Sequence, residues 1–221
     1  MRILHVSDLH SADAHFQFVK KVCGYFDLVC LTGDLLDLNS QRPVGDQIER
    51  VLAHLGTIPV PLAICSGNHD SEAGLGPRLE HAAWLKEARR KNVWIDGDSF
   101  KMGSHAFRCI PWSGTLPEDG ANEIWLIHAP PDETPTGISV GGAGWGDFEF
   151  GELCRAGRGP RLALSGHVHC PQRWYAKAGR TVSLNPGRPD TASTLNYIGL
   201  DLARGVVARS HVSGDTDFLK F

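Results

Sequence analysis

Five short blocks of this chain bring carboxylates, an amide and imidazoles into tight spacing: Asp8-Leu9-His10, Gly33-Asp34, Gly67-Asn68-His69-Asp70, His128, and Gly166-His167-Val168-His169. Carboxylate oxygen, amide oxygen and neutral imidazole nitrogen together suit borderline and hard divalent cations such as manganese, iron or zinc, and no thiolate is needed. Two such ions ~3.5–4 Å apart can clamp the attacking and leaving oxygens of a phosphoryl displacement, provided an anion bridges them. Asp34 is the natural bridge, because a carboxylate has an oxygen for each ion. Taken alone, Asp8 reads as a helix cap and Asn68 as a turn residue beside Gly67. The five blocks together make candidate ligands of Asp8, His10, Asp34, Asn68, His128, His167 and His169. Gly33, Gly67 and Gly166 beside them suggest tight turns that need unusual backbone angles.

Each block stands where an apolar run ends. Residues 3–6, 28–31 and 62–65 read as buried strands. Between them Phe16, Val19, Val22, Cys23 and Phe26, and then Val44, Ile48, Val51, Leu52 and Leu55, recur with helical spacing, the second helix opened by Pro43. That β-α-β-α-β order predicts a parallel sheet, whose strand ends form the crevice where ligands bind. A helix is expected over residues 77–90. Short extended runs follow at 93–95, 106–110, 124–127, 162–164, 173–176, 181–184, 197–202 and 206–212, and their Gly and Pro punctuation predicts a mostly antiparallel second sheet. Residues 130–146, rich in Gly, Pro and Thr, read as a long loop. Its Gly141-Gly142-Ala143-Gly144-Trp145-Gly146 segment lacks the lysine and hydroxyl of a P-loop. A flexible lid presenting Trp145 to a base or ring is one reading of it; a disordered loop or a subunit contact is the other.

A length of 221 residues suits one domain spanning 1–221. The net charge of −3 gives no general argument for nucleic acid or a membrane. Residues 155–188, however, carry Arg155, Arg158, Arg161, Arg173, Lys177, Arg180 and Arg188 with no Asp or Glu. They read either as solvated surface or as a positive rim for an anionic substrate, with Arg173 and Arg188 as its candidate binding residues. No secretory pattern and no run of ~20 apolar residues is present, so a reducing, cytoplasmic setting is expected. The six cysteines, without a C-x-x-C pair, read as packed thiols.

The blocks, in this order, resemble the D-x-H, G-D, G-N-H-[DE], H and G-H-x-H pattern of the calcineurin-like metallophosphoesterases, over residues 1–186. The resemblance implies an α/β fold, a four-layer α-β-β-α sandwich. It implies one metal site at Asp8, His10, Asp34 and His169 and a second at Asp34, Asn68, His128 and His167. His69 matches a non-ligand histidine that contacts the substrate phosphate, as Asn68 is also placed to do, and protonates the leaving oxygen. Asp37 matches the residue that orients that histidine, with Asp70 as its rival. The chain reads Leu38-Asn39 after Asp37, so the G-D-x-x-D-R-G extension of the Ser/Thr protein phosphatases is absent. His128-Ala129-Pro130-Pro131 and Leu184-Asn185-Pro186-Gly187 look like the small bacterial and archaeal phosphodiesterase-like branch.

The expectation is therefore hydrolysis of a small phosphate ester, a diester first, by a bridging water with His69 as general acid and two divalent ions, manganese or iron ahead of zinc. A phosphomonoesterase, a nuclease and an inactive binding scaffold of the same fold are the alternatives. Nucleic acid is not favoured, no membrane partner is expected, and a homo-oligomer is left open.

Overall fold

Alternation along the first three strands divides the molecule into layers. In the computed structural model, which describes residues 1–72, 81–189, 195–210, 214 and 216–220, β1 (Arg2–Val6), β2 (Leu28–Thr32) and β3 (Leu62–Cys65) run parallel, with Val6 opposite Leu31 and Leu31 opposite Ile64. Successive side chains of a strand point to opposite faces. Leu4, Val6, Val29, Leu31, Leu62 and Ile64 thus pack on one side against α1 (Asp13–Val22) and α2 (Val44–Gly56), which present Phe16, Val19, Ile48, Val51 and Leu55. Ile3, Cys30, Ala63 and Cys65 point the other way, into a second core.

The chain continues through β4 (Val93–Trp94), β5 (Ser99–Met102), β6 (His105–Cys109), β7 (Glu123–Leu126), α3 (Phe148–Arg155) and β8 (Leu162–Leu164). It ends with β9 (Tyr175–Ala178), β10 (Thr181–Leu184), β11 (Tyr197–Asp201), β12 (Val206–Ser210) and β13 (Thr216–Lys220). One sheet has the order β13-β12-β11-β1-β2-β3-β4 and the other β5-β6-β7-β8-β10-β9. Phe107, Ile124, Leu126, Leu162, Leu164 and Leu184 of the second sheet close the core between the sheets. Trp125, Ala163 and Ala178 face outward beneath Phe150, Leu153 and Cys154 of α3. Helices, sheet, sheet, helix: the expected four-layer α-β-β-α sandwich is the observed one.

The second sheet corrects one expectation. Its pairings β6·β7, β7·β8 and β8·β10 are parallel, and only its edge pairs β5·β6 and β10·β9 are antiparallel. Glycine and proline mark where strands stop but not which way the next one runs. The unexpected helix α3, capped by the Asp147 side chain accepting from Phe150 N, is the crossover that makes β8 parallel to β7. The last three strands join the first sheet instead, with β11 antiparallel to β1. Of the helix expected over 77–90, residues 77–80 lie outside the described residues, and the remainder shows a 3₁₀ turn at Ala83–Ala88. Five of the six cysteines are buried, Cys170 being exposed. No helix among the described residues is long and apolar enough to cross a membrane.

Candidate metal centre

The parallel strands deliver their C-terminal ends to one edge of the sandwich, and the backbone there is strained. Asp8 (φ 58°), His10 (45°), Ser11 (54°), Asp34 (53°) and His167 (65°) all lie in the left-handed region, at about 1 kcal/mol or more each for a residue with a side chain. Hydrogen bonds between the strand-end loops hold them there: Asp8 N to Gly33 O (3.1 Å), His10 N to Asp34 O (2.9 Å), Ser11 N to Leu35 O (2.7 Å) and His167 N to Asp8 Oδ1 (3.2 Å). The unusual angles thus fall mainly on the candidate ligands. Among the flanking glycines only Gly33 has positive φ. Gly67 is glycine because a Cβ would strike Asp34 Oδ1 and His128, and Gly166 because it would strike Ser7 and Asp8.

All seven candidate ligands converge. Asp8, His10 and His169 offer donor atoms within 4.8 Å of one another, and so do Asp34, His128 and His167. His10 Nε2 lies 3.2 Å from His169 Nε2, and Asn68 Oδ1 lies 3.2 Å from His128 Nε2. Asp34 Oδ2 stands between the groups, 3.7 Å from His10 Nε2 and 3.3 Å from His128 Nε2. Its Oδ1 is occupied by the His69 N–H at 2.8 Å. The link between the clusters is therefore a single oxygen, not one oxygen for each side.

The donor set fits divalent cations. Asp8 Oδ2 is buried without a hydrogen-bond partner, the kind of orphan that a cation would satisfy. His128 Nδ1 lies 2.7 Å from Thr32 O, so that nitrogen carries a proton and Nε2 is the one turned toward Asn68 and Asp34, where a cation would take the place of its proton. Burial pushes His10 down to about 4 against the pull of Asp8 and Asp34. Burial, aided by the charge of His128, does the same to His167. Both rings are thus neutral at neutral pH, the ligand form. Burial also opposes charge on His128, but Asp34 outweighs it and raises that ring to about 9. Asp8 and Asp34 resist burial through the surrounding histidines, which hold both carboxyls below their ordinary range.

The residues around this core fare differently. His69 Nδ1 accepts from Leu38 N at 3.1 Å, which places the ring proton on Nε2. Asp37 Oδ1 stands 3.7 Å from His69 Nδ1, beyond hydrogen-bond range, and accepts instead from Asn39 N. Asp70, the rival orienter, does not serve the ring: its two oxygens accept from Leu36 N (2.9 Å) and Gly67 N (2.8 Å), lacing the Asp34 loop to the Asn68 loop. Burial first and the charge of Asp34 second raise its carboxyl to about 7.

The basic stretch is mostly engaged elsewhere. Arg155 pairs with Asp132, Glu133 and Glu152, and Arg180 with Asp119. Arg173 is exposed and lines a separate hollow with Trp174, Arg209 and Asp217, so it is not brought to the cleft. Arg188 is the exception. Its N–H bonds His169 O at 2.7 Å, its charge lowers His10, and its Nε is buried without a partner.

Three supporting residues lie outside the candidate site residues read from the sequence. Thr32 O accepts from both Ser7 Oγ and His128 Nδ1, a main-chain role that no side-chain pattern announces. Trp112 sets its ring against His128 and His167, with centroids 5.5 and 5.3 Å apart. Asn185 is fully buried and donates to Gly166 O (2.9 Å) and Val168 O (3.0 Å), bracing the turn that carries His167 and His169. Its Asn-Pro-Gly context was the available signal. Above the donors opens a cleft of about 350 Å³ whose lining includes Asn68, His69, His167, His169, Ser139 and Trp145.

Comparison with known proteins agrees with the fold that carries this site. The sequence model described as calcineurin-like phosphoesterase matches residues 1–171. Among solved structures, TT1561 of Thermus thermophilus superposes with a TM-score of 0.58 at 14% identity, covering 99% of this chain and 98% of that one. YfcE, titled a phosphoesterase from E. coli, superposes at 0.50 and 14% identity over the same shares. At that identity the two establish the fold alone. No curated protein matches the chain.

Proposed function

Because the chain belongs to the calcineurin-like phosphoesterase family, whose membership indicates a metal-dependent phosphoester hydrolase, we propose that it cleaves a phosphodiester using two divalent ions. The observation that carries this reading is the pair of donor clusters meeting at Asp34 Oδ2. Asp8, His10, Asp34 and His169 would hold one ion, and Asp34, Asn68, His128 and His167 the other. When bound, the ions activate water at neutral pH and offset charge on the phosphoryl oxygens. Manganese or iron suits the oxygen and imidazole donors, with zinc as the alternative.

The chain's own groups do the rest. Arg188, whose Nε is buried without a partner and whose charge lowers both His10 and His169, attracts the anionic ester. His69 lines the cleft and, in its doubly protonated form, would give its Nε2 proton to the leaving oxygen. The Leu38 N–H on Nδ1 favours a second reading, in which a neutral His69 donates a hydrogen bond to a phosphoryl oxygen without surrendering its proton.

Protein loaded separately with manganese, iron or zinc should be assayed on linear diesters, cyclic nucleotides, monoesters and single-stranded DNA, with bound metal counted. Two ions per chain and faster turnover of diesters than of monoesters are expected. Full activity with one ion per chain would refute the two-metal reading, and a monoester preference would refute the choice of diester.

A further inference from the structure

Residues 137–146 form a strap beside the cleft. Ile138 pairs with Gly144, Ser139 N donates to Ala143 O, and Trp145 N donates to Gly137 O at 2.8 Å. The strap is fastened to the strand of chain that leaves His169: Val140 N donates to Cys170 O (2.9 Å), Gln172 N to Ile138 O (2.8 Å), and Ser139 bridges to Pro171. Its far end is wedged as well, since a Cβ on Gly146 would stand 2.5 Å from Asp132 Cα. The backbone of Trp145 is therefore held in place, not hung on a free lid. Its ring is 58% exposed, lines the cleft, and stacks on no other ring among the described residues. The other side chains of that cleft are mostly polar or ionisable, so a solvent-facing indole there lacks an apolar surface to cover it.

We infer that Trp145 is the ring on which the substrate's leaving group stacks, so that the site selects a phosphate ester bearing a planar aromatic group of the nucleobase kind. The inference rests on the phosphoesterase reading and adds a substrate class to it. A base has a π-face whatever its sequence, and stacking on an aromatic side chain is a sequence-tolerant anchor. Trp suits the task because a rigid ring loses little conformational freedom on binding. A lipid surface is the competing occupant, since Val140 on this strap and Phe148 at the start of α3 are also exposed. Phe148, however, faces a separate hollow shared with Asp132 and Glu133, and Glu149 and Glu152 follow it along α3. That acidic surround opposes an anionic membrane.

The test compares inhibition constants of a nucleoside 5′-monophosphate and of ribose 5-phosphate against hydrolysis of bis(p-nitrophenyl) phosphate by manganese-loaded protein. The nucleotide is expected to bind about ten-fold more tightly, the size of one base–ring stack. Trp145→Ala should bring the ratio near one, Trp145→Phe should keep part of it, and Phe148→Ala should leave it unchanged. A ratio near one in active wild type, or a ten-fold ratio that survives Trp145→Ala, overturns the inference while leaving the phosphoesterase reading intact. Failure to turn over any ester would end both. Activation by phosphatidylcholine vesicles that is lost in both Trp145→Ala and Phe148→Ala would overturn it in favour of a lipid surface.

Discussion

Single side chains in this cleft divide the work in ways that substitution can separate. His69 offers a donor beside His10 and Asp34 but is not one of the seven proposed ligands, so His69→Ala should keep metal content at two per chain. If the ring gives up a proton, kcat/KM on an alkyl ester should fall by ~10²–10⁴ and on a nitrophenyl ester by far less, because nitrophenolate departs unassisted. Equal losses on both would leave His69 as a hydrogen-bond donor to the phosphoryl group, the role its contact with Leu38 N favours. Asp34→Asn removes the charge that would let two cations lie side by side in the proposed centre, and metal analysis should find fewer than two ions with activity lost. Two ions and normal turnover in that variant would exclude the bridge. Reversing charge at Arg188 should lower kcat/KM more at low salt than at high salt, whereas the same change at Arg173, which lines another hollow, should do little. The ligands were legible because each follows a buried run. Their left-handed backbone was not, for nothing in an Asp or His side chain shows where φ will be positive. Nor could the sequence choose between Asp37 and Asp70, since what decides the matter is which main-chain N–H groups their oxygens meet.

Among the elements, the turn between β8 and β9 carries the most chemistry and has the least regular structure of its own. Asn185, at the end of β10, supplies what that turn lacks. Asn185→Ala would leave Val168 O without its donor and Gly187 N without its acceptor, while Gly166 O keeps Val168 N, at a cost of about 3 kcal/mol and a Tm lower by about 6–12 °C. Metal affinity at His167 and His169 should weaken with it. A Tm within about 2 °C of wild type, measured by calorimetry, would mean that the brace is dispensable. Both early helices were readable from their 3.6-residue period. Helix α3 was equally readable in principle, as Asp147 caps it and Phe150, Leu153 and Cys154 follow at helical spacing, but at eight residues it was lost beside the glycine-rich strap. Strand direction in the second sheet had no local signal at all.

At the scale of the molecule, the candidate ligands fall on both sides of the sandwich. Asp8, His10, Asp34 and Asn68 follow strands of the first sheet, and His128, His167 and His169 follow strands of the second. Ions bound there would tie sheet to sheet. Manganese at about a hundred times its dissociation constant should therefore raise stability by ~2.7 kcal/mol per site, or roughly 5–10 °C in Tm. A chelator should reverse the gain, and Asp34→Asn should abolish most of it. An unchanged Tm at that concentration would show that manganese does not bind the folded site in preference to the unfolded chain. The pairing of β1 with β11 has a different reach: Arg2 lies opposite Asp201. Strand β1 is thus an inner strand of its sheet, yet one of its two flanks stays bare until almost two hundred residues more have left the ribosome. Through that interval the chain holds an open edge next to Ile3, Leu4 and Val6, the condition under which nascent chains aggregate or need holding. Slow translation, low temperature or a chaperone should accordingly govern how much active protein a cell recovers.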